Sequence, residues 1–166
     1  MKHISVHCRA EAETLTFEVP HIYVSISLPG DPSGTAKLST NKHTLGVLQL
    51  TFWDLDRLVP VDPDLVDEVR AASGITYEME KQLFEPRHAR AILAFVNAYP
   101  EAEHVVFHCD AGLSRSPGAA AAIAKIFNGD DTDIFNRHSG LNRRVYRMIL
   151  EAHQEVAETE DDPWKP

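Results

Sequence analysis

The sequence predicts an α/β domain: a central, mostly parallel sheet of about four or five strands, with helices on both faces. Three observations predict it. Short apolar runs suited to strands recur at 22–28, 45–52 and 104–108, and segments with helical periodicity lie between and after them. Strands interleaved with helices favour parallel pairing, in which both sheet faces are covered. The chain has 166 residues, 43% of them hydrophobic, enough for one adequate core and too few for two.

The elements follow in order. A first strand is expected near Ile4–Val6, then a short connector and a second strand near Ile22–Leu28. The stretch Pro29-Gly30-Asp31-Pro32-Ser33-Gly34-Thr35 has the composition of a surface loop. Leu45 to Phe52 forms the next strand. Asp62-Pro63 then opens a helix, with Asp62 as cap and Gly74 as stop. A further helix runs from about Pro86 to Ala98, its apolar side formed by Ile92, Leu93, Phe95, Val96 and Tyr99, and Pro100 ends it. His104–His108 is a buried strand, and the alanine-rich segment after it is a helix with Ser116 as N-cap and Pro117 at N1, terminated by Asn128-Gly129. Two helices close the domain. One spans about Asp133–His138, capped by Asp131 or Thr132; the other runs from Asn142 to about Val156, with Val145, Tyr146, Ile149, Leu150 and His153 on one side. The expected domain covers 1–157, and 158–166 reads as a flexible acidic tail.

Residues 108–116, His-Cys-Asp-Ala-Gly-Leu-Ser-Arg-Ser, carry the chemistry. They join a strand to a helix start, so loop N–H groups and the positive helix end converge on one point, where an anion is stabilised. Cys109 and Arg115 stand six positions apart with Gly112 between them. Together they can form a cup around a tetrahedral oxyanion such as phosphate. A thiol beside a helix N-terminus and a guanidinium is favoured as thiolate and becomes a nucleophile. The planar Arg115 fork suits the equatorial phosphate oxygens better than a lysine would. Ser116 is placed to donate to the sulfur. Asp110, Ala111, Gly112, Leu113 and Ser114 complete the cup with Arg115, and His108 supports it from the strand.

The ten residues from His108 to Pro117 resemble the signature of the cysteine-dependent protein tyrosine phosphatase superfamily, His-Cys-five residues-Arg-Ser/Thr, and especially its dual-specificity branch, which ends Ser-Arg-Ser-Pro. The resemblance implies a protein phosphatase acting through a phosphocysteine, without metal or cofactor. It also implies an upstream aspartate that protonates the leaving oxygen and then activates water. Asp54, directly after the 45–52 strand and beside Trp53, is the first choice and Asp56 the alternative. Trp53 resembles the tryptophan of the family's Trp-Pro-Asp loop, although no proline follows it. Asp54 stands farther ahead of Cys109 than is usual in related enzymes, which makes 62–84 an apparent insertion. The segment from Leu141 to Leu150 resembles the branch's Pro-Asn-x-x-Phe-x-x-Gln-Leu segment, in which the asparagine braces the phosphate loop; Asn142 takes that position, and it also suits an ordinary helix N-cap.

Charge and composition narrow the partners. A net charge of −9 and a pI near 5.4 argue against nucleic acid or an anionic membrane as main partner. Nine histidines show no ligand-like spacing, so no metal is expected. No segment approaches the ~20 apolar residues needed to cross a bilayer, and two separated cysteines fit a reducing compartment, so a cytoplasmic protein is expected. Cys8 is expected to be a small buried strand-end residue, with the alternative that it pairs with oxidised Cys109. Arg137, Arg143, Arg144 and Arg147 form a positive cluster that either flanks the cup or is a solvated helix face. The cup itself has no lysine and carries an acidic Asp110, which repels polyanions; a substrate with one phosphate, such as phosphotyrosine on a protein or peptide, is favoured, with phosphoserine and phosphothreonine left open. Two other readings stand beside this one: a phosphate- or phosphopeptide-binding pseudophosphatase, and another thiolate enzyme such as a rhodanese-like sulfurtransferase or an arsenate reductase.

Overall fold

The computed structural model describes residues 2–55 and 82–160. Asp56, the expected helix from Asp62 and the end of the tail lie outside the described residues. The elements are β1 (His3–Cys8), α1 (Arg9–Ala12), β2 (His21–Ser27), β3 (Thr44–Thr51), α2 (Pro86–Ala98), β4 (His104–Cys109), α3 (Arg115–Asn128), α4 (Thr132–Arg137) and α5 (Arg143–Glu160). The four strands of the described residues form one sheet in the order β1-β4-β2-β3, and every pairing among them is parallel. The expected α/β class is therefore the observed one, with four strands.

The sheet has two unlike faces. Ile4, Val6, Ile22, Val24, Ile26, Leu48, Leu50, Val105 and Phe107 pack with α2, α3 and α5 in the apolar core. The opposite face carries His21, Tyr23, Ser25, His104, Val106 and His108, all buried. Phe17 covers part of it, stacking edge-on against His104 at 4.5 Å and lying 5.2 Å from His21. Parallel strands of this kind are buried on both sides, so β2 and β4 are fully buried along their lengths.

Four details differ from the expectations above. Arg9–Ala12 is a single helical turn instead of a plain connector, in keeping with its Arg-Ala-Glu-Ala composition. Helix α3 starts at Arg115 with Ser114 as N-cap, two residues before the expected cap at Ser116. Gly118 N donates to Ser114 O at 3.1 Å in the first turn, and Pro117 sits within that turn, where a missing N–H costs nothing. Helix α5 continues to Glu160, so residues 158–160 belong to it: no proline or glycine interrupts the run before Pro163. Its buried stripe is Val145, Ile149 and Ala152, at i, i+4, i+7, and His153 is exposed. Among the described residues no helix is long and apolar enough to cross a membrane.

Candidate active site

The cup begins where β4 ends. Cys109 is the last residue of β4 and 2% exposed, its side chain on the core face of the sheet. The chain then turns sharply, and Gly112 makes the turn possible. Its φ is +69°, and a Cβ there would come within 2.7–2.8 Å of the His7 and Cys8 backbone. Side chains larger than hydrogen are thus excluded by both conformation and space. The loop is tied from the other side to the start of α1, directly after β1, since Arg9 N donates to Asp110 O at 3.1 Å. Arg9 itself reaches Asp31 Oδ2 at 2.9 Å and Ser33 O at 3.2 Å, which fastens the 29–35 loop to the same corner.

One hydroxyl touches the sulfur, and the arginine of the loop is held by its neighbours. Ser116 Oγ donates to Cys109 Sγ at 3.1 Å. Arg115 is 4% exposed. Its Nη1 donates to the Phe52 carbonyl at 3.2 Å and its Nη2 to Asp110 Oδ2 at 2.5 Å, while the buried Nε has no partner among the described residues. A buried guanidinium N–H without an acceptor is uncommon and costly, and on such a loop it suits an oxyanion. Leu113 stands at the rim, 65% exposed.

Asp54 is brought to this cup by two donors. Ser114 Oγ donates to its Oδ1 at 2.7 Å, and Asn142 Nδ2 donates to the same oxygen at 2.9 Å. The segment before Asp54 is anchored by the Arg115–Phe52 bond, by Trp53 N donating to Gln82 O at 2.9 Å, and by the packing of the buried Phe52 ring on Phe84 at 4.9 Å and His88 at 5.6 Å. Leu83 and Phe84, at the end of the apparent insertion, lie buried in the core.

Asn142 does three things. Its backbone N–H donates to Ser114 O at 3.0 Å, which braces the cup; its Oδ1 accepts from Val145 N at 3.0 Å, which caps α5; and its Nδ2 holds Asp54. The close approach needs Gly118, where a Cβ would lie 2.5 Å from Asn142 O. The sequence allows Asn142 to be brace and cap together, and it is both; its bond to Asp54 is what the sequence did not disclose. Ser114 was likewise taken only as a cup residue, although it also holds Asp54.

His108 lies on the opposite sheet face from Cys109, 1% exposed, with neither ring nitrogen partnered among the described residues. Burial, with the Arg9 charge assisting, pushes its pKa down to about 4, so it is neutral at pH 7. Its place beneath the cup is therefore filled by an uncharged ring. Cys8 is the register partner of Cys109 across β1 and β4, half-buried, and both cysteines are free. Of the four arginines, Arg137 pairs with Asp133, Arg143 lies over Phe135, and Arg144 Nε donates to Phe84 O. A groove of about 630 Å³ along β1 and α4, lined by His3, Ser5, His7, Asn128, Asp131 and His138 among others, contains none of the cup residues. Among the described residues no cluster of His, Cys, Asp and Glu is arranged to hold a metal ion.

No family model and no curated protein sequence matches this chain. Among solved structures, PTPMT1 in complex with PI(5)P aligns with 95% of this chain and 94% of its own, at 15% identity and a TM-score of 0.49. A second crystal structure of PTPMT1 aligns over the same shares at 15% identity and a TM-score of 0.48. The human tyrosine phosphatase-like serine/threonine/tyrosine-interacting protein aligns over 95% and 92%, at 14% identity and a TM-score of 0.41. Likeness at this level leaves the roles of Cys109, Arg115 and Asp54 to rest on their own geometry.

Proposed function

We propose that this chain is a cysteine-dependent phosphoric monoester hydrolase, acting on phosphotyrosine in a protein or peptide. The observation that carries the reading is the buried Arg115 guanidinium, fixed at both Nη atoms with Nε unpartnered among the described residues, on the loop that starts at Cys109.

The chemistry follows in two displacements. The Cys109 thiolate attacks phosphorus in line while the bond to the leaving oxygen breaks. Arg115 and the loop N–H groups hold the three equatorial oxygens as charge redistributes. Asp54, protonated, gives its proton to the departing phenol. Both Ser114 and Asn142 donate to Oδ1, so Oδ2 is the oxygen left to carry that proton. In the second step the Asp54 carboxylate takes a proton from water, water oxygen attacks phosphorus, and the S–P bond breaks. Ser116 Oγ, 3.1 Å from Sγ, donates to the thiolate as it leaves. Inorganic phosphate departs and Asp54 is again protonated.

Phosphotyrosine is favoured over phosphoinositides by the cup itself. It contains no lysine, and its one acidic residue, Asp110, sits on Arg115. The PI(5)P bound by one structural neighbour is for this reason not carried over. The pseudophosphatase reading is opposed by the presence of Cys109, Arg115 and Asp54 together.

The experiment is hydrolysis of p-nitrophenyl phosphate, a phosphotyrosine peptide and PI(5)P by the reduced protein, with and without orthovanadate, and by Cys109→Ser. The expected result is vanadate-sensitive hydrolysis of the first two, lowered at least about 10⁴-fold in Cys109→Ser. Full activity in that variant overturns the mechanism. Preferential turnover of PI(5)P overturns the substrate class. Sulfur transfer from thiosulfate to cyanide, or arsenate reduction, in place of phosphatase activity moves the chain to the other thiolate enzymes.

A further inference from the structure

Arg115 does not wait for its substrate uncompensated. Asp110 Oδ2 lies 2.5 Å from Nη2, with the arginine side chain 5% exposed and the aspartate side chain 31% exposed. The two residues are held there independently of each other's side chains: Asp110 by the bond from Arg9 N to its carbonyl, Arg115 by the Phe52 carbonyl at Nη1. A carboxylate on a guanidinium fork makes the same charge-assisted bond that a phosphate oxygen makes. It has one negative charge, where a phosphate monoester has two.

We propose that Asp110 is a specificity-determining residue, a built-in competitor that weakens oxyanion binding at Arg115 and restricts the site to ligands with a single phosphate. The inference rests on the cup being an oxyanion site. An incoming phosphate must either displace the Asp110 carboxylate from Nη2 or share Nη2 with it. Both options place like charges a few ångströms apart in a partly buried site, where repulsion is far less damped than in water. Each further anionic group on the ligand adds to that repulsion. A monophosphate meets one such penalty and a polyphosphate several. The arrangement also keeps the buried guanidinium paired when no ligand is bound, which limits the cost of an uncompensated buried charge.

Asp110→Asn separates a competitor from a mere brace, because asparagine can still accept from Nη2 through its side-chain oxygen while the charge is gone. The measurement is calorimetric affinity for tungstate and for pyrophosphate, made in a Cys109→Ser background so that no turnover intervenes, with thermal melting to verify folding. Asp110→Asn is expected to tighten tungstate binding roughly tenfold and pyrophosphate binding by more. Asp110→Glu, which restores the charge, is expected to stay near the parent affinity. The gain of Asp110→Asn should shrink as salt rises. Unchanged or weaker tungstate binding by Asp110→Asn overturns the competitor role and leaves Asp110 as a brace. Equal gains for the two ligands overturn the selectivity. Absence of tungstate binding in every variant overturns both this inference and the cup's function, whereas clear binding without any hydrolysis by the Cys109 protein overturns only the phosphatase reading.

Discussion

The cup and the acid segment, the stretch that carries the proposed acid Asp54, are built in opposite ways. The cup is local: Cys109, Gly112, Arg115 and Ser116 lie within eight consecutive residues, and strand end, left-handed glycine and helix start dictate their geometry. The acid segment is assembled. Asp54 follows β3, yet what fixes its carboxylate comes from Ser114 in the cup and Asn142 ahead of α5, and its backbone anchors come from Arg115 and Gln82. A local site survives changes elsewhere in the sheet, while an assembled one fails when any contributor moves. The two are joined through Ser114 and Arg115, each of which serves both regions.

The sharpest way to break the comparison is at Asp54. Asp54→Asn keeps an acceptor for Ser114 and Asn142 but cannot carry or exchange the proton, so kcat should fall about 10²–10⁴-fold while oxyanion affinity is retained. Steady-state kinetics with p-nitrophenyl phosphate, beside vanadate inhibition, checks it. A loss of this size in Asp56→Asn, with Asp54→Asn near wild type, would reassign the acid and detach Ser114 and Asn142 from the chemistry.

Acid conditions should instead strain the cup from below. His108 and His104 are buried on one sheet face, and burial pushes both down to about 4 from an ordinary value near 6.5. In the unfolded chain they take up protons as pH falls through 6.5; in the folded protein they resist until about 4. The unfolded state therefore binds more protons in that window, and stability present above pH 6.5 is lost as pH falls towards 4. Between pH 7 and 5 the loss should be about 2 kcal/mol for each histidine. Urea unfolding at the two pH values measures it, and His108→Gln should remove about half of the dependence. A flat profile would mean that the ring is not desolvated as its burial indicates.

What was legible in the sequence follows the same division. The cup could be read because its geometry is encoded by neighbours: a strand, a glycine and a helix start within ten residues. The class of fold, the strands and α2 were legible from apolar runs and from Pro86 and Pro100. The contact between Asn142 and Asp54 was not, because it depends on how closely α3 and α5 approach, and that is set by Gly118, a residue whose smallness has no visible purpose until Asn142 O lies against it. The start of α3 was misread for a local reason: Ser116 looks like a cap, but its hydroxyl faces Cys109 and Ser114 takes the cap position. The sheet's histidine face was hidden as well, since single histidines scattered over β1, β2 and β4 show their shared environment only once the strands are in register.

Asn142 and Ser114 allow the smallest and most discriminating test. Each donates to Asp54 Oδ1, but Asn142 also braces the cup through its backbone and caps α5, whereas Ser114 Oγ has the Asp54 bond alone among the hydrogen bonds described. Removing Asn142's side chain in Asn142→Ala should lower stability by about 1 kcal/mol, the usual worth of a cap, and kcat by about tenfold or somewhat more. Ser114→Ala should lower kcat several-fold with stability nearly unchanged, because one bond to a carboxylate is lost and the Ser114 hydroxyl, although at the N-cap of α3, makes no capping bond to that helix. Ser114→Thr, which restores the hydroxyl, should recover most of the rate. If the acid is held jointly, the double variant should lose less than the product of the two single losses, since an Asp54 already freed by one change has less to lose from the other. Strictly multiplicative losses would show that each donor acts on the cup by itself, and the acid segment would then be no more assembled than the cup.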